Sequence, residues 1–190
     1  MPYPTKLTRE AIEQAAWTLL EQGGPDALAM RPLAECLGVR PASLYRHVTN
    51  RETLLRHLAE HAATELRTTL TTAAQGHPPR AALNLLAHTY LHFARTHPHA
   101  YTLLLTPNAT PEPGLKTTAG KALWRTLLEH VGALTGHPDD TGHAVAYWTF
   151  LHGAASLERA GLYDSSGPQG GLDIGLNALL DRMEAARQDP

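Results

Sequence analysis

Arg40, Pro41, Ala42 and Ser43, followed by Leu44, Tyr45, Arg46 and His47, put two guanidinium groups, a hydroxyl, a phenol and an imidazole into one short stretch. Such a set suits a polyanion with readable edges. Arginine grips guanine bidentately or takes a phosphate, serine hydrogen-bonds base edges, and an alanine methyl packs on the methyl of thymine. Tyr45, Arg46 and His47 carry the donors that phosphate oxygens need. Arg31 lies one short segment upstream, Arg51 just downstream where a helix N-terminus also attracts phosphate, and Lys6 on an N-terminal arm. The expected DNA-facing set is therefore Lys6, Arg31, Arg40, Pro41, Ala42, Ser43, Tyr45, Arg46, His47 and Arg51.

Twelve histidines offer a second chemistry. His57 with His61, and His88 with His92, stand at i, i+4, a spacing that can hold zinc from one helix face. Neither pair belongs to an HExxH, and no carboxylate or cysteine completes a site in sequence. A small helical metallohydrolase is the enzyme alternative, but the expectation is no metal, no cofactor and no catalysis. Thirteen arginines against three lysines, with abundant alanine, leucine, threonine and proline, show a compositional drift that supplies histidine freely. Cys36 is the one cysteine, so an internal disulfide or CxxC site is excluded. With no second thiol to resolve an oxidised sulfur, an inert and partly buried thiol is expected there.

The elements that must position these residues are helical. The 190 residues are 43% hydrophobic and 18% charged, the composition of one globular domain or one plus a small module. No segment alternates with the period of a strand. Net charge is only −2, yet residues 31–56 carry five arginines against two glutamates, a local excess of +3. Such a cluster fits a small polyanion-facing surface. The start of the chain has no signal-peptide pattern, and residues 144–157 are too short and interrupted for a membrane span, so a cytoplasmic protein with no membrane partner is expected.

Ala11, Ile12, Ala15, Ala16, Leu19 and Leu20 form one apolar stripe, which predicts a helix capped by Thr8 and stopped by Gly23-Gly24-Pro25. Two short helices follow, over 31–37 and 42–48, joined by a turn at Gly38, the residue best able to take positive φ. Neither buries enough alone, so both must pack on the first, in a helix-turn-helix. Thr49 or Asn50 caps a long helix to about Ala74. Further helices are expected over 80–96, 100–105, 115–134, 138–160 and 172–187, with loops at 106–114 and 164–171. The expected fold is all-α with about nine helices: an N-terminal three-helix DNA-binding domain over 1–52 and a helical domain over 53–190.

The run Leu37-Gly38-Val39-Arg40-Pro41-Ala42-Ser43-Leu44-Tyr45-Arg46-His47-Val48, with Asn50-Arg51 and Leu54-Leu55 after it, resembles the DNA-binding domain of TetR-family transcriptional regulators. The resemblance covers about residues 8–58. It implies that Ala34, Val39 and Leu44 are structural and that Arg31, Ser43, Tyr45, His47 and Arg51 face DNA. Two positions depart from the family pattern: Val48 replaces the usual aromatic, and Arg51 the usual lysine. Farther on, Trp148-Thr149-Phe150-Leu151-His152-Gly153, with Leu157-Glu158, is similar to the Trp/His-Gly pattern of one type of TetR-family C-terminal domain, which implies ligand binding and dimerisation.

The side chains expected around an effector are His88, Tyr90, His92, Tyr101, Trp124, Trp148 and His152, because small-molecule sites are apolar and aromatic with a few polar anchors. Residues 144–157 are apolar nearly all round, so one side should meet a second copy of the chain. Thr149, Gly153 and Ser156 make a small-residue stripe, and Leu176, Leu179, Leu180 and Met183 of the last helix complete the expected interface. The functional expectation is a homodimeric, small-molecule-responsive repressor on a palindromic operator. Control of the same DNA binding by a protein partner or a metal is the alternative.

Overall fold

The Thr8 hydroxyl accepts the Ala11 N–H at 3.1 Å and opens α1 (Arg9–Ala27). Ile12, Ala16 and Leu20 bury its expected stripe. In the computed structural model, which describes residues 7–105, 117–162 and 170–188, the helical run continues through the expected stop but is broken at Gly24. There φ is 73° and ψ −177°. Then come α2 (Met30–Cys36), α3 (Pro41–Leu44), α4 (Arg51–Ala74), α5 (Pro79–Thr96), α6 (Pro98–Leu105), α7 (Thr118–Thr135), α8 (Thr141–Arg159) and α9 (Gly171–Ala186). Among the described residues these nine helices are the only regular elements, so the all-α expectation stands. Lys6 and most of the two expected loops lie outside the described residues.

The helices form two compact units. The first runs to Thr64 and takes in His97–Gly120; the second comprises Glu65–Thr96 and the chain from Lys121. The division expected at residue 52 falls inside the first unit, because α4 serves both. Asn50, not Thr49, caps it: the Asn50 side-chain oxygen accepts the Thr53 N–H at 2.8 Å. In the first unit α6 lies on α1. Its Ala100 N–H donates to the Glu21 carboxylate at 2.8 Å, and the His99 ring lies so close to Gly24 that a Cβ there would meet it at 3.1 Å.

In the second unit α5 packs on α8 and α9 and buries Leu83, Leu86, Ala87, Tyr90, Leu91 and Phe93. Polar ties fix the packing. The buried Tyr147 hydroxyl of α8 donates to the Leu83 carbonyl, and Arg95 of α5 pairs with Glu158 of α8. Arg80 of α5 holds Asp181 at 2.7 Å and Glu184 at 2.8 Å on α9. Gly175 lets α9 close on α8, since a Cβ there would stand 2.5 Å from the Phe150 ring. The same packing corrects one expectation. Leu176, Leu180 and Met183 are fully buried within their own unit, and Leu179 is half-buried. They sit on the stripe of α9 that faces α5 and α8, so the buried three present nothing to a partner. Among the described residues no helix is long and apolar enough to cross a membrane.

Gly38 supplies a test of the local argument. Its φ is +64° and a Cβ there would meet nothing within 4 Å, so substitution strains only the backbone. Gly38→Ala should cost about 1–2 kcal/mol in urea denaturation. An unchanged midpoint would show that the turn does not need the left-handed conformation.

Candidate nucleic-acid interface and aromatic cluster

The end of α2 is closed by two backbone bonds that cross the turn. The Val39 N–H donates to the Ala34 carbonyl at 3.0 Å and the Gly38 N–H to the Glu35 carbonyl at 3.1 Å, with Gly38 at positive φ between them. This pairing satisfies orphan carbonyls of α2 and sets the direction in which the chain leaves it. Pro41 opens α3, where its missing N–H costs nothing. The α-helical part of α3 ends at Leu44, shorter than expected, and Tyr45–His47 form a turn. Two donors, His47 N–H at 2.8 Å and Val48 N–H at 2.9 Å, share the Leu44 carbonyl. The tight turn brings Val48 into the core beside Leu44, both essentially without exposure.

That burial decides what faces outward. Arg40, Pro41, Ala42, Arg46 and His47 are exposed, Ser43 is half-exposed, and Tyr45 shows 54% of its surface. An exposed phenol of that size beside two arginines and a histidine gives the turn a face with many donors and no carboxylate of its own. Arg31 is exposed on α2, where it pairs with Glu35 at 3.0 Å. This i, i+4 partner was readable from spacing alone. Both side chains are open to water, so the pair contributes little stability and yields readily to a phosphate.

Arg51 differs from the expectation. Its Nε donates to the Leu28 carbonyl at 2.7 Å and its Nη2 to the Pro25 carbonyl. The guanidinium thus faces the C-terminal end of α1, with Asp26 3.9 Å away. Cys36 also departs from expectation: it is exposed at the end of α2, because Leu33 and Ala34 occupy the buried side of that helix.

In the second unit, three of the residues expected around an effector come together. Trp124 of α7 meets Trp148 of α8 edge to face, with ring centres 6.4 Å apart, and Trp148 stacks on His152 at 6.1 Å. All three are half-buried. Tyr90 is buried in the inner face of α5. His88 and His92 are exposed, which corrects their placement at a ligand site: they lie on the side of α5 opposite its apolar face. Tyr101 is buried in the first unit, on α6. The sequence reading missed another ring group in that unit, where Trp17 of α1 meets His61 of α4 at 4.9 Å and His97 at 5.6 Å. Among the described residues no three His, Cys, Asp or Glu side chains converge as a metal site would require.

Residues 12–58 match the family model described as bacterial regulatory proteins, tetR family, and residues 83–183 match that of the tetracyclin repressor-like C-terminal domain. The chain is similar to an uncharacterized HTH-type transcriptional regulator of Mycobacterium tuberculosis, 32% identical over 164 residues that cover 85% of this chain and 74% of the relative. It is 46% identical over 56 residues to the class A tetracycline repressor from transposon 1721 of Escherichia coli, covering 30% of this chain and 26% of the repressor. A solved structure of a protein with unknown function from Rhodococcus sp. RHA1 superposes with a TM-score of 0.75 at 27% identity, over 97% of each chain.

Two histidines have displaced titrations. Burial lowers the pKa of His57, helped by the nearby charge of Arg9, and burial followed by Arg159 lowers that of His152. Protonation therefore opposes folding at both. Their contribution to stability is complete above the ordinary value of 6.5 and is lost as the pH falls through the depressed folded-state values. Ring-proton NMR titration should place both midpoints below 6.5, and the melting temperature should fall as that window is crossed. A midpoint at or above 6.5 for either ring would contradict the assignment of burial as the cause.

Proposed function

The chain belongs to the TetR family of bacterial transcriptional regulators, DNA-binding proteins and not enzymes, and we propose that it is a homodimeric repressor released from a palindromic operator by a small molecule. The observation that carries this reading is the outward face of the turn after Gly38, with Tyr45, Arg46 and His47 exposed and Ser43 half-exposed around a buried Leu44. The start of a recognition helix enters the major groove in helix-turn-helix proteins, and flanking donors take the phosphates. Arg40, Ala42 and Ser43 read bases; Tyr45, Arg46 and His47 bind phosphate, with Arg31 and Lys6 adding charge. Work on DNA places the protein in the cytoplasm.

Two half-sites require two copies. Support for a dimer comes from the outer faces of α8 and α9. Val145, Leu157, Leu162 and Ile174 are exposed, and between them Thr149, Gly153 and Ser156 leave a path of small side chains. Most of the largest exposed apolar groups among the described residues thus lie on these two helices and the residues just after α8. This surface, in place of the buried Leu176, Leu180 and Met183, forms the proposed interface. The Trp124, Trp148 and His152 cluster supports an aromatic effector site in the helical part from residue 53 onward. Effector binding acts by population shift: a compound that prefers the DNA-incompetent state draws the protein off the operator, with α4 as the lever.

Gel-shift titration against duplex from upstream of its own gene tests the reading. Specific, salt-sensitive retardation is expected. Tyr45→Ala should weaken binding to all sequences by about 1 kcal/mol, whereas Ser43→Ala should change preference at one base position. Identical behaviour of the two variants would contradict the assignment of roles. Sedimentation should show a dimer for the wild type and a monomer for Ser156→Arg, which keeps its fold because Ser156 is exposed. A dimeric Ser156→Arg would place the interface elsewhere.

A further inference from the structure

Arg51 is the first residue of α4, where a cation opposes the helix dipole. Its guanidinium compensates by turning back onto the carbonyls at the opposite end of α1. Nε donates to Leu28 at 2.7 Å and Nη2 to Pro25. Pro25 and Leu28 follow the break at Gly24, and Met30 opens α2 two residues after Leu28. Both carbonyls lie at the C-terminal end of α1, where the Pro25 carbonyl also accepts the Leu28 N–H at 3.3 Å, so the guanidinium adds to a backbone cap. Leu28 itself is fully buried, so the segment that carries these carbonyls is anchored on its other side.

We propose that Arg51 is a positioning residue for sequence recognition: its fork ties the start of α4 to the entry of α2, and so fixes the angle at which α2 and α3 present Ser43 and Tyr45. The fork is the reason for arginine. Two donors in a fixed plane reach two carbonyls three residues apart, which a lysine ammonium, a single point charge on a flexible stem, does not reproduce. The role differs from a phosphate contact in what it controls. A phosphate ligand contributes equally to every sequence, whereas a group that sets the angle of the reading helix contributes only where bases must be matched. The inference rests on the DNA-reading face proposed above and not on repression or on an effector.

The test compares wild type, Arg51→Lys and Arg51→Ala in the full chain. The probes are the duplex that the wild type enriches most from a randomised pool and a scrambled duplex of the same composition, across a series of salt concentrations. Positioning predicts that Arg51→Lys loses about tenfold in affinity for the enriched duplex, while its affinity for the scrambled one and its salt slope stay within twofold of wild type. Arg51→Ala should then resemble Arg51→Lys. If Arg51→Lys binds like wild type, and Arg51→Ala lowers the salt slope by about one for both duplexes, Arg51 is a phosphate ligand and the proposal is overturned. A loss of binding that only tracks a loss of folded protein by circular dichroism overturns it too, because the tie is then merely structural. A wild type that enriches no sequence at all fails at the earlier step and removes the reading face itself.

Discussion

A four-residue helix has no stability of its own, since nucleating a turn costs more than its few hydrogen bonds return. The orientation of α3 therefore depends on what grips it, and that is its packing on α2 with Leu44 and Val48 buried. The grip works only if the chain turns sharply after α2. Gly38 takes the left-handed conformation, and the Val39 N–H reaches back to the Ala34 carbonyl. With the apolar side chains drawn inward, Ser43, Tyr45, Arg46 and His47 are left at the surface. The polar face of the turn is thus a consequence of its packing.

The second unit is held differently. Long helices supply large apolar faces, and ties between them set the register: Tyr147 to Leu83, Arg95 to Glu158, and Arg80 to the acids of α9. Burying one stripe of α9 against α5 and α8 leaves Ile174 exposed at 73% on the far side, and α8 likewise leaves Val145 and Leu157 uncovered. A helix pair that spends its best apolar stripe internally yet retains apolar groups outside carries the surface on which the proposed dimer interface rests. The aromatic contacts of Trp124, Trp148 and His152 use neither face fully, since all three remain half-buried.

Much of this was readable from residue order, for stated physical reasons. Capping by Thr8, the turn at Gly38 and the proline start of α3 all follow from local chemistry, in which partners lie a few residues apart. The readings of side-chain partners that needed revision depend on distant residues. Periodicity marked Leu176, Leu180 and Met183 as one apolar stripe but not whether that stripe faces its own chain or another. His88 and His92 are set outward by the face of α5 that packs. Arg51 carries the charge a phosphate ligand needs, and only the fold shows its Nε 2.7 Å from a carbonyl twenty-three residues back. Trp17, His61 and His97 come from three separate segments, so no spacing in the chain could have joined them.

The central claim is that α3, with the turns on either side of it, lies in the groove of duplex DNA. Cys36, exposed at the end of α2 and the one cysteine in the sequence, permits a direct measurement. An iron chelate tethered to its thiol cleaves the DNA nearest that helix end. The account predicts two short cleavage clusters, placed symmetrically about the centre of the bound sequence. Cleavage scattered along the duplex, or none on DNA that the conjugate demonstrably binds, would contradict it.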